Sequence, residues 1–377
     1  MSTYTTDVHT ERVDHLGLIT LNRPKALNAL SLAMVRELNH VLQAWQDDAQ
    51  VKAVVVRGSN KEGPFGAFCA GGDIRYFHQA ALSGDATLED FFTEEYSLNH
   101  LIQHYPKPYI ALMDGIVMGG GMGLSQGAAL RVVTERTKMA MPETHIGLFP
   151  DVGGGYFLSR CHGPACPQHM GEYLALTGHV LRGGESLHVG LADVGVDAVA
   201  LPALWDTLQH KDWQTGEAVV VWLREQSQAS TAQAMAVTPA WQSTPIDAVF
   251  GLATVAAIEQ ALQGADEWSV QTLKALHQQS PLMLCVTLEQ IRRGRTMNLA
   301  DDLRMERDLV RHCFQTQHLS RRGVSSETVE GIRALAVDKD HAPKWYPTRI
   351  ADVTPEMVQP FFESPWPASA HPLHHLR

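Results

Sequence analysis

The segment VKAVVVR at residues 51–57, followed by the glycine-rich FCAGGDIR at 68–75, sets the fold class of this chain. Its β-branched, almost wholly apolar run reads as a strand buried on both faces, the pattern of a parallel sheet. The same order returns further on: YIALM at 109–113, entered through Pro106 and Pro108, leads into MGGGMG at 118–123 and a helical stretch. Working outward, GLITL at 17–21 is a short β run closed by Asn22-Arg23-Pro24, where Pro24 cannot donate to a ladder. Ser31 can cap a helix whose Val35, Leu38, Leu42 and Trp45 recur at helical spacing. Residues 89–104 read as helix, and 131–134 and 139–141 as strands. Strands separated by crossover helices give an α/β architecture with largely parallel sheets.

Beyond Ala200 the texture changes to Gln-, Ala- and Leu-rich segments with helical periodicity, at 246–262, 282–291 and 301–314. The expected organisation is an α/β core over residues 1–200 and a mainly helical region over 201–377 that packs on it. Residues 227–245, rich in Ser, Thr, Gln and Pro, read as a linker or surface loop. The tail His371-Pro372-Leu373-His374-His375 reads as an exposed, floppy terminus rather than a metal site.

The composition narrows the function. Among 377 residues there are 30 Lys plus Arg and 41 Asp plus Glu, a formal net charge of −11. An acidic chain is a poor ligand for nucleic acid or an anionic membrane, since that affinity rests on clustered cations. Five scattered cysteines argue against a disulfide framework and suit a reducing compartment. No basic-then-apolar leader opens MSTYTTDVHT, and no apolar run reaches the roughly 18–20 residues of a membrane span. The expectation is a soluble, cytoplasmic protein.

Three segments concentrate chemistry. In AGGD (70–73) and GGG (119–121), a strand, glycines and a helix follow in order, which exposes backbone N–H groups and attracts negative charge. Two such turns can aim one N–H each at a single carbonyl oxygen. The third, MPETHIGLFPDVGGG at 141–155, sets Glu143 and Asp151 in apolar, Gly- and Pro-rich surroundings. Isolated acids there are costly to desolvate, so a working pair competes with a plain turn-capping role.

Together these stretches resemble the crotonase, or enoyl-CoA hydratase/isomerase, superfamily, and within it the 3-hydroxyisobutyryl-CoA hydrolase branch. The similarity is carried by LITLNRPKALNAL (18–30), AFCAGGDIR (67–75), FFTEEY (91–96), MGGGMGLS (118–125) and MPETHIGLFPDVGGGYFL (141–158). LALTG (174–178), EGIRA (330–334) and DKDHAPKW (338–345) extend it along nearly the whole chain. The resemblance implies a crotonase-like spiral of ββα units with a helical C-terminal region, acting on an acyl-CoA thioester. It implies oxyanion-hole amides at Gly72 and Gly120, a catalytic acid or base at Glu143, a second carboxylate at Asp151 and a substrate-binding glutamate at Glu95. Ala70, Gly71 and Asp73 are further substrate-contact candidates, Asp73 being also the natural cap of the helix after it.

Hydratases of the superfamily hold water with two glutamates, one shortly after the triple glycine. Here that position is Gly123, while Asp151 stands where hydratases typically have glycine; the exchange points to hydrolysis. The competing readings are an enoyl-CoA hydratase or isomerase, and a non-catalytic acyl-CoA-binding protein of this fold. No metal or separate cofactor is expected, coenzyme A being part of the substrate. Arg23, Lys25 and Arg75 are candidates for its phosphates. A homo-oligomer is a further possible consequence of the resemblance.

Overall fold

The computed structural model describes residues 6–264 and 266–377; part of the opening stretch read for targeting lies outside them. Strands β1 (Val8–Val13) and β2 (Leu16–Leu21) form a hairpin, and helix α1 (Leu32–Asp47) follows, with Ser31 accepting the Met34 N–H as its cap. Strand β3 (Ala53–Asn60) lies parallel to β2 and carries the short antiparallel β4 (Gly63–Pro64) at its end. Helices α2 (Ile74–Ser83) and α3 (Thr87–Gln103) come next, then β5 (Tyr109–Met113), β6 (Ile116–Met118) and α4 (Gly120–Gln126). The fourth pass runs through β7 (Leu130–Val133), β8 (Lys138–Ala140) and, after the segment 141–153, α5 (Gly154–Leu158). Helix α6 (Met170–Thr177), β9 (Leu181–Arg182), α7 (Gly183–His188) and β10 (Val194–Gly195) complete this part.

The main sheet runs β1-β2-β3-β5-β7-β10 and is parallel from β2 onward; a smaller sheet runs β6-β8-β9. The passes through β5-β6 and β7-β8 each lay one strand in the large sheet and the next in the small one, and α4 returns the chain after β6, as in the spiral of ββα units that the resemblance implied. Both faces of the large sheet are covered, which is why β3 and β5 read as unbroken apolar runs. Val54, Val56, Tyr109, Ala111 and Met113 face the larger core, against α1 and α3 among others. Val55, Ile110, Leu112 and Val132 alternate to the opposite face.

That opposite face is closed by the first two helices after Ala200, α8 (Leu201–His210) and α9 (Gly216–Met235), through Leu204, Trp205, Leu208, Val219 and Leu223. Residues 227–235 are therefore helix and not linker. Ser227 is fully buried and Thr231 accepts the Gly195 N–H at 2.9 Å; the true break comes at the prolines Pro239 and Pro245. The run 246–262 likewise divides into α10 (Ile246–Phe250) and α11 (Val255–Ala261), the second opened by a Thr254 cap. After α12 (Glu267–Leu276) come the long α13 (Pro281–Gly294) and α14 (Leu299–Phe314), then α15 (Glu327–Ile332).

The C-terminal tail is docked on α14, against the expectation of a floppy end. Leu373 is fully buried, His371 nearly so, and Arg304 donates to the carbonyls of Leu373 (3.2 Å) and Leu376. The sequence signal for this is weak, because two leucines among histidines and prolines have no periodicity. A buried leucine makes the docking measurable: Leu373→Ala should lower stability by about 2–5 kcal/mol in urea denaturation. A loose tail would give no change.

Candidate active site

The two glycine turns meet back to back. Asn28, in the left-handed region (φ 58°), sits at the end of the NRPKALN loop with its side chain buried. Its Nδ2 donates to the carbonyls of Ser59 (2.8 Å), Ala67 (2.9 Å) and Phe68 (3.1 Å), tying that loop to the end of β3 and the glycine stretch. Ala70 N–H then donates to Leu27 O, Leu30 N–H to Gly71 O and Asp73 N–H to Leu30 O. Leu30 therefore takes up the Gly71 carbonyl and the Asp73 amide, and the Gly72 amide is turned the other way. Met118 N–H donates to Cys69 O, which sets the second turn against the first.

At that turn Gly119 adopts φ 48°, ψ −121°, a conformation closed to L side chains. A Cβ on Gly71 would lie 3.2 Å from Met118 O and 3.5 Å from the Gly120 nitrogen, so a side chain there would fill the space between the two turns. Neither the Gly72 nor the Gly120 N–H has a protein acceptor among the described residues. Gly120 is the first residue of α4, whose opening N–H groups have no intrahelical partner.

Three carboxylates converge on this point, all nearly inaccessible. Glu143 opens a 3₁₀ turn (Glu143–Ile146), and a Cβ on Gly119 would stand 2.6 Å from its Oε1. Glu95, on α3, places its Oε1 2.5 Å from where a Gly120 Cβ would be. Asp151 accepts the Tyr96 hydroxyl at 2.8 Å. Glu95 Oε1 and Glu143 Oε2 are buried without any hydrogen-bond partner. Burial, then repulsion from Asp151, raises the pKa of Glu143 well above the carboxylate range. Burial followed by Asp151 and Glu143 does the same to Glu95. Burial pushes Asp151 up to about 6, with the Tyr96 hydrogen bond opposing it.

Of the residues read from the sequence, Gly71, Gly72, Gly120, Glu95, Glu143 and Asp151 come together here. Ala70 lies beside them with its N–H engaged. Asp73 is occupied: Oδ1 accepts the Tyr76 N–H as the cap of α2, and Oδ2 takes Arg23 at 2.7 Å. Arg23 also donates to Ala29 O, leaving Lys25 and Arg75 as the exposed cations near the turns.

The sequence reading missed the residues that hold the two acids. The Glu143 turn is fixed from the C-terminal helices: Ser280 N–H donates to Thr144 O, and Thr328 Oγ1 donates to Gly147 O at 2.7 Å. The Asp151 loop is held by Gln290, Asp302 and Glu306. Asp302 and Glu306 stand one helical turn apart on α14 among Leu299, Leu303 and Val310, and acids on an apolar helix face were the available signal.

This architecture and site define the class, and the comparisons with known proteins agree. The chain belongs to the enoyl-CoA hydratase/isomerase family, whose model matches residues 16–362. It is 39% identical over 364 residues to the rat protein named 3-hydroxyisobutyryl-CoA hydrolase, mitochondrial, covering 96% of this chain and 90% of that one. It is 38% identical to an Arabidopsis thaliana protein named probable 3-hydroxyisobutyryl-CoA hydrolase 3, over 94% and 90% of the two chains. Among solved structures, one titled carnitinyl-CoA dehydratase from Mycobacterium thermoresistibile superposes with a TM-score of 0.78 at 35% identity, covering 95% of this chain and 97% of that one. An enoyl-CoA hydratase from Rhodobacter sphaeroides gives 0.77 at 33%, over 96% and 98%. These names correct the expectation of a cytoplasmic protein: the relatives from rat, chicken and Xenopus tropicalis are called mitochondrial. An acidic composition and free thiols carry no information on which reducing compartment a chain occupies. Among the described residues, no helix is long and apolar enough to cross a membrane.

Proposed function

We propose that this protein hydrolyses acyl-CoA thioesters, with 3-hydroxyisobutyryl-CoA as substrate, to the free acid and coenzyme A, a step of valine breakdown. The thioester oxygen accepts hydrogen bonds from the Gly72 and Gly120 amides, which stabilise the charge that develops on it. Glu143 either draws a proton from water attacking the carbonyl or attacks it to form a mixed anhydride that water then opens. Asp151 orients the water or the substrate's 3-hydroxyl and passes a proton to the leaving thiolate. Glu95 lines the acyl end. No metal or separate cofactor enters the cycle.

One observation carries the choice of hydrolysis over hydration. A Cβ on Gly123 would lie 2.7 Å from the Cβ of Val152 and 2.8 Å from Asn99 Nδ2. The space where a hydratase needs its first glutamate is filled by the residue that follows Asp151. The names of the curated relatives support the same reading; the titles of the two solved structures speak for hydration.

The test sets thiol release from 3-hydroxyisobutyryl-CoA beside loss of crotonyl-CoA absorbance. Rapid thiol release with little hydration is expected, and the reverse ratio overturns the proposal. Turnover in ¹⁸O-water separates the two routes at Glu143, since label in its carboxylate requires the anhydride.

A further inference from the structure

Asp151 lies on a loop of unfavourable geometry. Val152, β-branched, is held at φ 56°, and Gly153 follows at φ 89°. A β-branched residue in the left-handed region persists only where its surroundings over-determine it. Those surroundings come from two side chains distant in sequence. Glu306 on α14 accepts the Gly153 N–H through Oε2 at 2.7 Å and the Gly155 N–H through Oε1 at 3.0 Å. Gln290 on α13 donates from Nε2 to Pro150 O at 2.6 Å and to Glu306 Oε1 at 3.1 Å. Asp302 takes the Tyr156 N–H one step further on, at 2.9 Å. The loop is thus gripped immediately before Asp151 and immediately after Val152, by two residues that also grip each other.

Resting on the hydrolase reading above, we propose that Glu306 and Gln290 form a clamp that positions the Asp151 carboxylate for the reaction. Neither touches substrate; both are positioning residues. The arrangement is costly to keep for stability alone. Glu306 and Asp302 are two acids buried side by side; burial, then Asp302, raises Glu306 well above the carboxylate range, and burial pushes Asp302 up to about 7. A loop needing only to be closed could be closed by apolar packing. A carboxylate accepting two amides at fixed separation sets the backbone direction on both sides of Val152, and a misplacement of about 1 Å at a reacting group can lower a rate about a hundredfold.

The experiment uses the full-length protein with Glu306→Gln, which turns an acceptor into a donor facing N–H groups, and Gln290→Met, which keeps shape and removes the donor. The second variant stands in if the first does not fold. In each, kcat for thiol release should fall about 10- to 100-fold with KM changed less than threefold. The acid limb of the kcat profile should also move, because a slack loop changes what surrounds Asp151. The groups facing that carboxylate are Tyr96 and Glu95 from α3, Glu143 from its turn, and Glu306 and Cys313 from α14. A purely structural role lowers the melting temperature and leaves kcat per folded molecule and the acid limb at wild-type values; that result overturns the clamp. The wild-type assay run alongside tests the hydrolase reading by itself. If wild-type thiol release is absent, carbon-13 carboxyl titration of Asp151 still reads the clamp, a shift in the variants supporting it and no shift overturning it.

Discussion

Glu143→Gln should lower kcat for thioester hydrolysis by about 10²–10⁴-fold and at the same time make the protein more stable at alkaline pH. The rate loss follows from removing the carboxyl group that lies against Gly119, in a variant of the same shape. The gain in stability follows from the sign of the proton balance. In the folded protein, burial and Asp151 raise the Glu143 pKa, whereas the unfolded chain titrates near the ordinary glutamate value of about 4.3. Between those values the folded state holds a proton that the unfolded state has released, so stability falls as pH rises. Asp151 behaves alike from the ordinary aspartate value to about 6. Glutamine cannot ionise and escapes that loss. Melting curves at pH 8 should show the variant more stable than wild type, a gain that shrinks toward zero near pH 4 where both side chains are neutral. Near-normal turnover removes Glu143 from the mechanism; an absent or pH-independent gain contradicts its raised pKa.

Gly119→Ala should lower kcat/KM by about 10²–10³-fold, the loss measured elsewhere when one oxyanion donor is removed. Alanine is excluded twice over at this position. Its backbone would have to hold φ 48°, ψ −121°, at about 1–3 kcal/mol, and its Cβ would press on Glu143 Oε1. Relief requires the turn to rotate, and the amide that rotates with it is that of Gly120. The effect belongs to the chemical step, so kcat should carry most of it. A variant with wild-type kcat/KM and wild-type melting temperature would show that the amide following Gly119 takes no part.

The parts of the fold that were legible in the sequence are those where one physical demand acts on adjacent residues. The run 51–57 is apolar because both its faces are covered, and Ser31 caps its helix through its own backbone neighbours. The glycine turns were legible because backbone approach excludes side chains at consecutive positions. The tail and the 227–235 helix were misread because their partners lie far away in sequence: Leu373 finds its pocket through Arg304 on α14, and Thr231 meets Gly195. The same reason hid Gln290 and Glu306, whose distance from Asp151 along the chain exceeds any local pattern. The acids Glu143 and Asp151 were found through a resemblance, since spacing alone suited a turn cap as well.

The crowding of Val152 against Gly123 bears on how the two chemistries of this superfamily can exchange during evolution. A descendant that acquired a glutamate after the triple glycine would have no place to put it until the neighbouring loop was rebuilt. Rebuilding that loop first would displace Asp151, the acid proposed to serve hydrolysis. The two catalytic designs are therefore separated by a valley that one substitution does not cross, and a lineage on either side is expected to keep both features or neither.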